Sequence, residues 1–205
     1  MAALSMRRVA ADLGVATMSL YRYVADKDDL VLHMLDAAIA ELRFPEVAPA
    51  STRARLELAA RQMWSTFRRH AWVAPEMSLT RPQPIPSALD YTEWVLAALH
   101  GHGLDTSTLF TIHLTLFNYV RGTAVHLEPE REAQAETGLE AGEWMDDQQG
   151  ALRAILTPGR HPLFEELISG EFDLDLDVLF EFGLQRLLDG LGPVVTGRAR
   201  PTGGR

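Results

Sequence analysis

The sequence contains no cysteine, which excludes a disulfide framework, a thiolate nucleophile and a thiolate-held metal. It has a single lysine, Lys27, among 19 basic residues. No apolar run approaches the roughly 18 residues that a membrane-spanning helix needs. The start, Met1-Ala2-Ala3-Leu4-Ser5-Met6-Arg7-Arg8, carries no hydrophobic secretory core behind a basic beginning. The expected compartment is therefore the cytoplasm, with no membrane partner. Glycine and proline, 15 and 11 of 205 residues, are too few for a collagenous or low-complexity chain. What remains is ordinary globular material, 47% hydrophobic and 23% charged, enough for one large domain or two small ones with a real core.

The formal net charge of −9 argues on average against a nucleic-acid-coating protein, yet the charge is segregated. Between Ser5 and Lys27, Arg7, Arg8, Arg22 and Lys27 outweigh Asp12 and Asp26. Between Glu128 and Asp147, eight carboxylates face Arg131 alone. A small basic head on an acidic body is how a site-specific DNA binder can look acidic overall.

Apolar spacing is helical nearly throughout, so the fold class is all-α. Ser5 is placed to cap a helix over 6–13, and Gly14 to turn the chain into a second short helix over about 17–24. Asp26, with Asp29 three residues on, opens a third helix that carries Leu30, Met34, Leu35, Ala38 and Leu42 and ends before Pro45. The division expected is a helix-turn-helix head over 1–44, a larger body over 51–195, and a disordered tail over 196–205. In the body, Ser51 or Thr52 caps a helix through Phe67, and the proline-rich stretch 72–86 leaves room for one short helix. Ser87 opens the next helix and Asp105 the longest. The acidic stretch 128–149 is a mobile loop or a solvated extension. Helices follow over about 147–156, stopped by Pro158 and Gly159, then from Pro162 to Ser169, then from Asp175 to Leu191, ended by Gly192-Pro193.

The strongest signal lies at Arg7–Val24. Two short helices around a glycine turn make a helix-turn-helix, with Val15 and Leu20 expected to wedge the pair together and the second helix free to enter a major groove. Thr17, Ser19, Tyr21, Arg22 and Tyr23 surround that helix, and hydroxyls and a guanidinium suit phosphate oxygens and base edges. The competing structural reading is that Tyr21 and Tyr23 pack on the next helix. The run Gly14-Val15, then Leu20-Tyr21-Arg22-Tyr23-Val24, then Lys27-Asp28-Asp29-Leu30 resembles the TetR family of repressors. The resemblance implies that Thr17, Ser19, Tyr21 and Arg22 reach bases or phosphates, that Tyr23 reaches phosphate, and that Lys27 meets phosphate from the next helix's N-terminus. A lone lysine in an arginine-rich chain fits a position that wants a compact ammonium. Family members carry a further helix ahead of this segment. The expectation is that the true start lies upstream, or that the head lacks one wall of its core and loses burial worth ~1.5–3 kcal/mol per side chain.

The last helix is apolar nearly all round, which fits either a central buried helix or one shared with a two-fold partner. The run Phe180-Glu181-Phe182-Gly183-Leu184-Gln185-Arg186-Leu187-Leu188 resembles the closing helix of the tetracycline-repressor-type C-terminal domain, implying a homodimer with Leu179, Phe182, Gly183 and Leu187 at its interface. Gly183 costs ~1 kcal/mol inside a helix, tolerable where another backbone approaches closely. Large or polar side chains at core-facing positions mark the candidate ligand pocket: Trp64, Phe67, Met77, Trp94, His113, Phe117, Asn118 and Arg121. His113 has the competing reading of a satisfied core histidine. Met77-Ser78-Leu79-Thr80-Arg81-Pro82 resembles the segment where the tetracycline repressor supports a magnesium–drug chelate with histidine. Met77 stands at that place, so the implied effector is a small apolar or aromatic molecule, with no metal and no cofactor. No HExxH, GxSxG or phosphate loop occurs, and Asp173-Leu174-Asp175-Leu176-Asp177 lacks the glycine and closing glutamate of a calcium loop. The function expected is a ligand-responsive repressor of duplex operator DNA and not an enzyme. The rival is a dimeric small-molecule-binding module that has lost DNA binding.

Overall fold

The computed structural model describes residues 4–156, 160–170 and 174–197. Among them it is all-helical, without a strand. Pro158, Gly159, Asp173 and the tail beyond 197 lie outside the described residues. The helices are α1 (Met6–Asp12), α2 (Thr17–Leu20), α3 (Lys27–Ile39), α4 (Thr52–Arg69), α5 (Val73–Glu76), α6 (Pro86–Leu99), α7 (Thr106–Ala124), α8 (Leu127–Thr137), α9 (Ala141–Ile155), α10 (Pro162–Ser169) and α11 (Leu176–Val195).

The helix starts follow side-chain chemistry. Ser5, Asp26, Ser51 and Asp105 each accept a hydrogen bond from a backbone N–H three residues on, at 2.9–3.3 Å, which satisfies donors the helix leaves free. Asp29 also accepts from the Ala25 N–H at 2.8 Å, one residue before the cap. Pro86, one residue before the expected start, supplies the preset φ of a first helical position.

Several ends differ from the sequence reading. Regular α2 is a single turn to Leu20, and Tyr23 N–H and Val24 N–H both close on the Leu20 carbonyl. The residues expected in its second turn therefore occupy a tight turn. Val15 is 44% exposed and does not wedge α1 against α2. α3 stops at Ile39 because tighter turns through Glu41 and Leu42 replace the α pattern, and Pro45 then disfavours helical backbone at Phe44. The acidic stretch is helical rather than a loop, forming α8 and α9. Gly138 in the left-handed region (φ 76°) divides them, and a Glu140–Glu143 capping box opens α9. α11 continues through Pro193 to Val195 and is the longest helix. Gly192 precedes that proline, and its missing Cβ removes the clash that would expel it from helical backbone.

The core lies among α4, α6, α7 and α11, with α3 and α5 against it. Phe67, Met63, Leu116, Val120 and Leu184 are fully removed from solvent. Each such side chain is worth ~1.5–3 kcal/mol of transfer free energy. α11 is laid on α4 by polar links along its edge: Arg53–Asp189 at 2.8 Å, Arg61–Glu181 at 2.7 Å and Arg68–Asp177 at 3.4 Å. These pairs are half-exposed, so they orient the helix more than they stabilise it.

At the crossing of α7 and α11 the Tyr119 hydroxyl donates to the Phe180 carbonyl at 2.7 Å, with the Leu179 carbonyl at 3.1 Å. Gly183 sits against that ring: a Cβ there would lie 2.7 Å from Tyr119 Cζ. The close approach is therefore made by a ring of the same chain, not by another backbone. Gly183→Ala is expected to lower stability by about 1–3 kcal/mol through overpacking, despite its better helix propensity. Urea unfolding of Gly183→Ala with and without Tyr119→Leu checks this, since shortening the ring must recover most of the loss.

Candidate DNA interface and effector site

α1 and α2 pack together through Met6 and Ala10, with Val24 buried behind the turn. The opposite surface mixes polar and apolar side chains, with Leu13 64% and Met18 75% exposed beside Arg22. Tyr21 is 44% and Tyr23 77% exposed, and Arg22 is exposed with its guanidinium 5.9 Å from the Tyr23 ring centroid. That distance allows cation–π support of an extended arginine. Thr17 and Ser19 are half-buried on α2, Lys27 is half-buried at the first position of α3, and Arg7 and Arg8 are exposed. Neither exposed tyrosine is taken up by packing. Tyr21 to Tyr23 stand in the turn after α2, which presents them beside its hydroxyls.

The head is tied to the body at three points. The Asp36 carboxylate accepts from the Ser87 N–H of α6 at 2.9 Å. Glu41 holds Arg69 Nε and His70 Nε2, each at 3.0 Å, and these partners, His70 foremost, hold its carboxyl below the usual range. Phe44 stacks on Trp94 of α6.

The body's candidate pocket residues divide. His113 and Phe117 share one aromatic cluster with Tyr91 and Phe110, the Tyr91–His113, Phe110–His113 and His113–Phe117 centroids lying 5.8, 5.7 and 6.4 Å apart, and Trp94 joins it through Phe44. Trp64 belongs elsewhere. It stacks on Phe180 at 4.5 Å and donates its indole N–H to Asp177 at 2.6 Å, facing α11. Phe67 is solid core, Met77 is buried at the end of α5, and Asn118 is exposed. Arg121 is half-buried on α7, with its Nε buried. The sequence reading missed Tyr91 and Phe44. Tyr91 precedes Trp94 by three residues on one helix face, a spacing that could have revealed it; Phe44 gave no periodic signal.

Buried polar atoms concentrate in this cluster. Tyr91 Oη, Trp94 Nε1, His113 Nδ1 and, further along α7, Arg121 Nε have no hydrogen-bond partner among the described residues. Such atoms are rare in folded proteins and costly, so a group of them calls for a partner. The tautomer of His113 follows from its neighbour. The Thr92 hydroxyl gives its only proton to the Ala88 carbonyl at 2.8 Å, so at 3.3 Å it accepts from His113 Nε2–H. His113 Nδ1 is then a bare acceptor next to the Tyr91 ring, while the Trp94 indole donor is linked to Tyr91 through Phe44. Burial raises the Tyr91 phenol and lowers His113 to about 4.

Because folding holds His113 neutral, the unfolded chain takes up the proton first as pH falls through about 6.5. This contribution to stability is complete above that pH and is lost toward pH 4. At pH 5 the loss is about 2 kcal/mol. Urea unfolding at pH 7 and pH 5 checks this, and His113→Gln must remove that part of the pH slope.

Among the described residues no helix is long and apolar enough to cross a membrane, and no three His, Asp or Glu side chains converge as a metal site. Residues 44–195 match the family model described as "Tetracyclin repressor-like, C-terminal domain". The chain is 40% identical over 196 residues to the HTH-type transcriptional repressor DrrR1 of Streptomyces coeruleorubidus, covering 95% of this chain and 72% of that one. It is 33% identical to an HTH-type transcriptional regulator of Saccharopolyspora erythraea, over 66% of this chain and 56% of that protein. The crystal structure of the Streptomyces coelicolor TetR family protein ActR in complex with actinorhodin superposes with a TM-score of 0.72 at 26% identity, covering 94% of this chain and 88% of ActR. The chain belongs to the TetR family and is a ligand-responsive, DNA-binding transcriptional repressor of that type. These relatives are transcriptional regulators.

Proposed function

We propose that residues 1–44 form the operator-reading head and 51–195 the effector-binding and dimerisation body. In the head, Thr17, Ser19, Tyr21 and Arg22 contact bases or phosphates, and Tyr23 and Lys27 contact phosphate. The observation that carries this is the exposure of Tyr21, Arg22 and Tyr23 in the turn after α2, none of them taken up by the core. Arg22→Ala is expected to weaken a duplex selected from a random library by ~1–3 kcal/mol. Lys27→Ala weakens all sequences alike and lowers the salt slope by about one. Equal affinity of Arg22→Ala and the parent chain in a shift assay removes the head assignment.

The effector is a planar aromatic molecule bearing oxygens. The orphaned polar atoms around Trp94, Tyr91 and His113 support this: indole and phenol donors suit a carbonyl, and His113 Nδ1 suits a phenolic O–H. ActR, a structural relative, is described in complex with actinorhodin. The proposed site centres on Trp94, His113 and Phe117, with Arg121 further along α7; Trp64, turned to α11, the core side chain Phe67, the buried Met77 and the exposed Asn118 lie outside it. Alizarin, a dihydroxyanthraquinone, is the probe: calorimetric binding and operator release over one concentration range are expected, and Phe117→Ala weakens the binding while sparing DNA affinity. If alizarin and a wider panel of hydroxylated aromatics all fail to bind, the pocket reading is wrong.

The partner is a second copy of this chain. Leu179 and Phe182, 46% and 63% exposed on the outer face of α11, form the centre of that contact. Leu187 is half-buried at its edge, and Gly183 supports it indirectly by letting α11 settle on Tyr119.

A further inference from the structure

Phe44 is the one aromatic side chain of the connector between α3 and α4, immediately before Pro45. It turns inward. Its ring stacks on Trp94, with centroids 4.3 Å and planes 13° apart, and lies 6.3 Å from the Tyr91 ring. Both partners hold a buried polar atom that lacks a protein partner, and Tyr91 leads on to His113. Phe44 therefore closes the head-side end of the cluster. Toward the head it lies three residues beyond Glu41, which Arg69 and His70 grip, and five beyond Ile39, the last residue of α3.

We infer that Phe44 occupies the seat that an aromatic ring of the effector takes, and that its expulsion carries the arrival of the effector to α3. The inference rests on the effector reading above. An aromatic ring stacked on an indole offers no hydrogen bond to the Trp94 N–H or the Tyr91 hydroxyl. A planar ligand with a carbonyl matches the stack and satisfies both donors, so the ligand outcompetes Phe44. Effector and docked Phe44 then exclude one another. The effector shifts the head only by its difference in affinity for the docked and expelled states. Proline after Phe44 keeps that residue extended, so a backbone shift that accompanies expulsion passes to the residues before it, toward α3.

The test compares the full chain with Phe44→Ala and Phe44→Leu, using alizarin calorimetry and amide hydrogen exchange along residues 27–39. Phe44→Ala is expected to bind alizarin about fivefold more tightly than the parent, because no plug must leave. In the parent, alizarin speeds exchange along α3. In Phe44→Ala, exchange is already fast and alizarin adds nothing. A residue that merely fills space gives the opposite result: weaker alizarin binding, with the exchange response kept. Either observation overturns the inference. Phe44→Leu keeps bulk without the stack and must fall between the two, which decides the matter if the alanine chain does not fold. If the parent itself does not bind alizarin, that result counts against the effector reading. The ligand-free comparison then decides: α3 exchange in Phe44→Ala equal to the parent overturns the role of Phe44, and faster exchange at an unchanged melting temperature supports it.

Discussion

Phe182→Arg is expected to leave the chain monomeric at micromolar concentration, where the parent sediments as a dimer. Phe182 and Leu179 lie on the face of α11 turned away from the core, while Leu184, Leu188 and Phe180 fill the inner face. The substitution therefore barely touches the monomer's own packing. It places a cation in the middle of the proposed dry contact, where an unpaired buried charge costs several kcal/mol. Arg186 already lies 5.6 Å from the Phe182 ring, so the new cation also meets a like charge. Sedimentation of the two chains, with their far-ultraviolet dichroism compared as a check on folding, gives the answer. A dimeric Phe182→Arg chain, or a monomeric parent, refutes this interface. A monomer also loses high-affinity operator binding, because two heads must enter successive major grooves together.

Phe67→Ala is expected to lower unfolding free energy by about 3–5 kcal/mol. Phe67 is fully buried on α4, the helix that packs against α6, α7 and α11, so truncation opens a cavity at the centre of the core. Against total stabilities of about 5–15 kcal/mol this is a large fraction. Urea unfolding at neutral pH measures it directly. If Phe67 instead lined an open pocket, truncation would cost less than 1 kcal/mol and would act mainly on alizarin affinity. The two variants separate the roles of the helices: Phe182→Arg breaks assembly with the fold intact, and Phe67→Ala weakens the fold itself.

The helical class, the caps at Ser5, Asp26, Ser51 and Asp105, and the exposure of Tyr21, Arg22 and Tyr23 were legible because each depends on residues three or four apart. A cap needs only its own N–H three residues on, and a helix shows its apolar stripe within one or two turns. The family likeness of the head was legible for the same reason, its motif being continuous. The pocket was legible only in part. Trp64, Trp94 and His113 read alike as large side chains at core-facing positions. The crossing of α4 with α11 sends Trp64 to Asp177, 113 residues away, and the crossing of α6 with α7 brings Tyr91 to His113.

The sequence by itself determined most of the helices and their starts, and the residue types of the proposed DNA-reading face, since these follow from local hydrogen bonds and local periodicity. Only the tertiary structure decided which aromatic side chains share a cluster, that Gly183 admits Tyr119, and that Phe44 reaches across to Trp94. Those pairings depend on the crossing of helices distant along the chain, and no spacing within a single helix encodes them.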